Sequence, residues 1–134
     1  MSHSASKGLI HTSSNHSCAN TIERLELQIT EKQMAVIAKV DHAAAAEKIN
    51  ETLRPTTLLL FGNPQAGTPV MQNSQTAAID LPQKYLVWED QQGQTWITHN
   101  DPAYIAERHN TEGLDPLLDK VSTALQSIAT AAGE

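Results

Sequence analysis

Two runs of alternating residues around a short turn constrain the fold of this chain more than any other feature. Residues 85–90 and 94–99 alternate between polar and apolar, and Gly93 suits the left-handed position of a bulged turn. The pattern predicts an antiparallel hairpin with these facing pairs: Tyr85 with His99, Val87 with Ile97, Trp88 with Trp96 and Glu89 with Thr95. Both faces of this hairpin carry apolar side chains, so the fold has to cover both.

Helical patterns recur along the rest of the chain. Ser17 is the predicted cap of one amphipathic helix, and Asp41 is the predicted cap of an Ala-rich helix from Ala43 to about Glu51. Asp101 and the proline after it open another helix, and an apolar stripe over residues 117–132 marks a terminal one. At least two of these helices are expected to dock on the sheet.

A run of three leucines indicates the most buried strand. Because Leu58, Leu59 and Leu60 follow one another without alternation, residues 56–61 are expected to lie in the middle of the sheet with both faces covered. The alternation of short strands and helices predicts a single α+β domain over residues 9–134, built on one antiparallel-rich sheet. Residues 1–8 are expected to be a short flexible terminus.

Charge and composition exclude several classes of function. Nine Lys and Arg against fifteen Asp and Glu give a net charge of −6, which argues against a surface for nucleic acid or anionic lipid. The single cysteine, Cys18, cannot form an intramolecular disulfide or a paired-thiol metal site. No apolar run approaches the ~20 residues of a membrane span. We therefore expect a cytoplasmic protein without a metal or cofactor.

Several separate motifs resemble one bacterial family, domain-of-unknown-function family 302. They are the following runs, in chain order: 21–25, 40–43, 54–69, 78–82, 87–90, 100–102 and 107–109. The resemblance implies an α+β fold similar to the TATA-binding-protein-like group, often as a homodimer, and it implies no known activity. At His99 this chain departs from the family, which usually has Tyr there.

The segment from Gly62 to Pro69 is the first candidate site. Its two glycines have the spacing of a phosphate loop, but the lysine that contacts the terminal phosphates is absent. With Thr68 as cap and Pro69 at the first helical position, free N–H groups near Gly67, Thr68 and Val70 would favour a carboxylate or phosphate. We therefore expect a small polar or anionic ligand to contact the following residues: Asn63, Gly67, Thr68 and Asp80. The alternative is that the glycines and prolines only shape a turn.

Adjacent acidic and imidazole groups form the second candidate site. Asp41 and His42 stand where a strand meets a helix, and with Asp80 or Glu89 they would supply the acid and base of a small hydrolase or isomerase. Asp41 also has a sufficient structural role as a helix cap. Glu89 shares a face with apolar residues and needs a partner there, such as Arg54, Lys39 or a backbone N–H. A buried ion pair is the competing explanation for it.

The hairpin also predicts self-association. The chain's own helices can cover one of its apolar faces, whereas the other needs a further helix or a second subunit. We therefore expect a homodimer that uses this hairpin or the adjacent sheet surface, and a protein-interaction dimer is the third interpretation of function.

Overall fold

The computed structural model describes residues 7–134, so most of the expected flexible terminus lies outside the described residues. Its centre is a five-stranded antiparallel sheet in the order β1-β5-β4-β3-β2. The strands are β1 (Leu9–Ser14), β2 (Ala35–Asp41), β3 (Thr56–Gly62), β4 (Gln83–Glu89) and β5 (Thr95–Asn100). The helices are α1 (Cys18–Glu31), α2 (His42–Glu47), α3 (Pro64–Asn73), a short 3₁₀ helix (Gln75–Ile79), α4 (Pro102–Arg108) and α5 (Asp115–Gly133). The chain thus has the predicted α+β fold.

Side-chain caps fix where the helices begin. The Ser17 hydroxyl accepts a hydrogen bond from the N–H of Asn20 at 3.1 Å, as predicted from the sequence. Asp41 and Asp101 cap α2 and α4 through N–H···Oδ1 bonds of 2.9 and 3.0 Å. Each of these three helices begins at the residue after its cap.

The boundaries of two helices differ from the prediction. α3 begins at Pro64 because Asn63 accepts the N–H of Ala66 at 2.9 Å, so Thr68 is not its cap and Pro69 lies inside it. α2 ends at Glu47 rather than near residue 51, because Asn50 has a left-handed φ of 62° and the N–H of Glu51 donates back to Ala46. The sequence signals for both devices are present: Asn63 lies five residues before the predicted cap Thr68, and Asn50 lies one residue before the predicted end at Glu51.

The hydrophobic core lies on one face of the sheet. Side chains from α1 and α5 form a single cluster with inward-facing residues of three strands: Leu59, Phe61, Tyr85, Val87 and Ile97. Tyr85 is fully buried and stacks on Phe61 with ring centroids 4.7 Å apart, and its hydroxyl donates to the Leu125 carbonyl at 2.7 Å. This residue therefore joins two strands to the terminal helix.

The hairpin has the predicted register, whereas the predicted position of β3 is wrong. Trp88 faces Trp96, Val87 faces Ile97 and Glu89 faces Thr95. β4 occupies the middle of the sheet, and β3 alternates between buried and half-buried residues, with Leu58 and Leu60 half-buried on the outer face. The leucine run therefore indicates a strand covered on one face only, because α1 and α5 both pack against the other.

His99 is an ionisable group inside this core. It is 2 % exposed, its ring lies edge-on to Tyr85 at 5.7 Å, and neither ring nitrogen has a hydrogen-bond partner among residues 7–134. Burial lowers the pKa of His99 to about 4, while the charge of Asp101 acts in the opposite direction and His11 lowers it further. The folded protein therefore holds this imidazole in its neutral form at pH 7.

This burial predicts a loss of stability in mild acid. The pKa of His99 is below the value of 6.5 that an unperturbed histidine has, so the unfolded chain takes up the proton first and the free energy of unfolding falls from about pH 6.5 towards pH 4. The neutral, buried His99 imidazole therefore changes the free energy of unfolding by on the order of 3 kcal/mol across this pH range. In urea titrations at several pH values, His99→Phe should lack this part of the loss.

Two results would contradict the account of His99. One is an unchanged pH dependence of stability in His99→Phe. The other, which does not depend on that variant folding, is an NMR titration of the wild-type His99 imidazole with a midpoint near that of an exposed histidine.

Candidate functional site

Five polar side chains meet where the 3₁₀ helix returns the chain to β4. We call them the Asp80 cluster: Thr76, Asp80, Lys84, Arg108 and His109. Asp80 is at its centre, and its two carboxylate oxygens accept hydrogen bonds from Nη1 of Arg108 at 2.9 and 3.0 Å. Nε2 of His109 lies 2.6 Å from Oδ2 of Asp80. A carboxylate at the end of one connection is thus held by two residues at the end of α4.

The His109 imidazole is the most enclosed member of the cluster. Its side chain is 7 % exposed, compared with 18 % for Asp80 and 50 % for Arg108. Nδ1 of His109 lies 2.9 Å from the hydroxyl oxygen of Thr76. Because a carboxylate only accepts, a neutral imidazole donates from Nε2 to Asp80 and accepts the Thr76 proton at Nδ1. The three groups form a continuous hydrogen-bonded chain of hydroxyl, imidazole and carboxylate.

Lys84 adds a second cation beside Asp80. It is half-buried at the start of β4, and its ammonium group donates to the carbonyl oxygens of Asp80 at 2.9 Å and Pro82 at 3.0 Å. Burial lowers the pKa of Lys84, and the negative charge of Asp80 opposes that shift. The ammonium therefore stabilises the turn at Leu81–Pro82, which contains a cis peptide bond.

The glycine-rich segment packs against this same turn. A methyl group placed on Gly67 would lie 3.9 Å from the Leu81 side chain, and one placed on Gly62 would lie 3.8 Å from the Pro82 ring. The structure thus brings the segment from Asn63 to Gly67 next to the residues that follow Asp80. The N–H of Gly67 donates to the Asn63 carbonyl at 3.4 Å, so the free N–H expected there is absent. Thr68 is exposed within α3.

The second sequence-predicted site does not assemble. Asp41 caps α2, His42 is exposed, and no hydrogen bond or ion pair in the described chain joins either side chain to Asp80 or Glu89. The histidine that contacts Asp80 is His109.

The buried ion pair that was the alternative explanation for Glu89 is also absent from the described residues. Arg54 donates to the backbone carbonyl of Glu89 at 3.2 Å, and Lys39 pairs with Glu26 at 2.9 Å. Arg54 therefore fixes the end of β4 through the backbone, which leaves the half-buried Glu89 carboxylate without an ionic partner in residues 7–134.

Among the described residues, the Asp80 cluster offers unused hydrogen-bond donors, whereas it is poor in ligands for a metal. Asp80 uses only Nη1 of Arg108, so the remaining guanidinium donors make no hydrogen bond to the described residues and the side chain is half-exposed. An arginine held on one side in this way presents a rigid fork of donors to solvent. For a metal the donor set is poor, because residues 7–134 contain no group of three His, Cys, Asp or Glu side chains near enough to hold one.

Sequence reasoning selected Asp80 but missed Arg108, His109, Thr76 and Lys84. The run Glu107-Arg108-His109 entered the sequence analysis only as one of the family motifs. No local pattern relates His109 to Asp80, which lies 29 positions earlier. The available signal was the histidine at the end of a short helix whose start is fixed by Asp101 and Pro102.

The family of this chain follows from its similarity to known proteins. The model of the family described as Domain of unknown function DUF302 matches residues 10–132. The chain belongs to this family. A crystal structure of an uncharacterised conserved DUF302 protein from Bacillus stearothermophilus superimposes with a TM-score of 0.85, covering 95 % of this chain and 99 % of that one at 19 % identity. The DUF302 fold is therefore shared at low sequence identity.

Curated relatives of the DUF302 domain have longer chains. The fluoride-specific ion channel FluC 1 of Brucella suis is 47 % identical over 103 residues, which are 77 % of this chain and 41 % of that protein. The FluC 1 protein of Brucella abortus is equally similar over 38 % of its length. This chain thus spans about two fifths of the curated relatives it matches. None of the helices described in residues 7–134 is long and apolar enough to cross a membrane.

Proposed function

We propose that this DUF302 domain binds a small anionic ligand at the Asp80 cluster. The observation that carries the proposal is the state of Arg108, which is held by Asp80 through Nη1 alone, while its other donors make no hydrogen bond to residues 7–134 and the side chain is half-exposed. Guanidinium groups bind carboxylates and phosphates through paired N–H donors, and they lose less conformational freedom when already held in place.

The surroundings favour an anion at this position. Arg108 and Lys84 contribute two positive charges against the single charge of Asp80, in a chain whose net charge is −6. Gly67 lies close to Leu81, the residue after Asp80, and we propose that Asn63, Gly67 and Thr68 contact the ligand from this side. The names of the longer relatives make fluoride one anion to test beside phosphate and carboxylates. A cytoplasmic location is part of this proposal.

Replacing Arg108 tests the proposed site. Inorganic phosphate, acetate and fluoride are each titrated into the wild-type protein and followed by amide NMR shifts. We expect the shifts to centre on residues 80–84 and 108–109, and Arg108→Gln to weaken binding by about tenfold or more, which corresponds to about 1.4 kcal/mol.

Arg54→Gln is the matched control, because Arg54 is an exposed arginine that also donates to a neighbouring residue, yet it lies outside the cluster. Affinity should be unchanged in this variant. Equal weakening of anion binding in both variants would show that the effect comes only from the change in net charge, which would contradict the proposed site. The absence of saturable shifts with all three anions would refute the proposal.

A second candidate function is a small hydrolase. The hydrogen-bonded chain from Thr76 through His109 to Asp80 favours it, since an imidazole held by a carboxylate can take a proton from a hydroxyl. In this hypothesis Asp80 acts together with His109 rather than with His42, the histidine expected from the sequence. Turnover of 4-nitrophenyl acetate that is lost in both His109→Ala and Thr76→Val but kept in His42→Ala would establish this activity. A rate equal to that of buffer would exclude esterase activity towards this substrate and leave binding as the function.

We also propose that the domain forms a homodimer, as expected from the hairpin. Support comes from the outer face of the sheet, where apolar side chains are only half-buried: Leu58, Leu60, Leu86, Trp88 and Trp96. α1 and α5 pack on the opposite face of the sheet, so neither helix covers these residues. Apolar side chains that stay partly exposed together on one face of a sheet are typical of interaction sites.

A further inference from the structure

One edge of the molecule concentrates the exposed large apolar side chains. Seven such side chains occur in the described residues, and four of them lie between residues 37 and 55: Ile37 at 63 %, Val40 at 41 %, Ile49 at 71 % and Leu53 at 45 % exposed. We call residues 37–55 the β2 arm, since they include the last part of β2, helix α2 and the connection to β3. No residue of the β2 arm is buried.

The β2 arm is nevertheless structured. Asp41 caps α2, Asn50 ends it with a left-handed φ, and the backbone of Glu51 bonds back to Ala46. Ordering a residue's backbone costs roughly 1–2 kcal/mol, and this cost is normally offset by burial of apolar side chains. Within one copy of the chain the β2 arm buries almost nothing, because only Ala43 and Ala46 are even half-buried.

The sheet is also open at this edge. β2 pairs with β3 on one side and with no other strand of the described chain. Lysine side chains often protect exposed edges, but Lys39 is directed to α1, where it pairs with Glu26 at 2.9 Å. Ile37 and Val40 are both exposed on this strand, and Val40 continues through Leu58 into the outer face of the sheet.

The charges of the β2 arm fit a second copy of the same chain. The arm has three basic residues (Lys39, Lys48 and Arg54) and three acidic ones (Asp41, Glu47 and Glu51), so it is neutral in a chain with a net charge of −6. A contact made here therefore brings together two segments that carry no net charge. Interspersed charges of both signs around an apolar centre also suit a two-fold contact, in which each patch faces its own counterpart.

We propose that the β2 arm is the contact surface of the homodimer, with Ile37 and Ile49 at its centre. This inference rests on the proposed homodimer and places its principal contact at the β2 edge of the sheet, which β3 separates from the hairpin. Two copies joined here would bury the four exposed apolar side chains of each chain.

Light scattering of matched variants tests the proposal at micromolar concentration. Wild-type protein is expected at twice the monomer mass of 14.6 kDa, and Ile49→Glu and Ile37→Glu at the monomer mass, with at least about a tenfold rise in the dissociation constant. Ile79→Glu is the control, since Ile79 is 72 % exposed but lies in the 3₁₀ helix, and it should remain dimeric. Circular dichroism confirms that each variant is folded.

The outcomes separate the two proposals. A wild-type mass of 14.6 kDa that does not rise with concentration would overturn both the homodimer and the β2-arm contact. A dimeric wild type whose mass is unchanged in Ile37→Glu and Ile49→Glu would retain the homodimer but overturn the β2-arm contact. Loss of the dimer in Ile79→Glu as well would attribute the effect to added charge, which also contradicts the proposal.

Discussion

The buried side chain of Tyr85 holds the two layers of this domain together. Its ring stacks on Phe61 and meets His99 edge-on, while its hydroxyl donates to the Leu125 carbonyl in α5. Burial raises the pKa of this hydroxyl, which therefore keeps its proton and remains a donor. Since α1 and α5 both pack on the Tyr85 side, one sheet face carries the core, and the outer face and the β2 edge remain for other contacts.

Local signals predicted the parts of the fold that depend on neighbouring residues. The hairpin register follows from alternation around Gly93, and the caps Ser17, Asp41 and Asp101 follow from single side chains. The position of β3 was mistaken because three consecutive leucines are compatible with a strand covered on one face or on two. Which of these two arrangements applies depends on where α5 docks, and α5 begins more than fifty residues later in the chain.

The candidate site shows the same division between local and distant information. Asp80 was expected to contact a ligand, yet the two residues that hold it, Arg108 and His109, come from the end of α4, 28 and 29 positions later in the chain. Asp41 and His42 are neighbours in sequence, but the cap of α2 uses the Asp41 carboxylate and leaves the imidazole in solvent. Proximity along the chain was thus a poor guide to proximity in space.

Cohesion within one chain comes from the Tyr85 face of the sheet, whereas the β2 arm buries almost no apolar surface. Native-state hydrogen exchange on dilute, monomeric protein measures this directly, because it reports the opening free energy of each amide. We expect amides of β4, β5 and the second half of α5 to exchange only by global unfolding, and those of residues 42–55 to exchange by openings that cost little. Protection of residues 42–55 equal to that of β4 in the monomer would contradict the account.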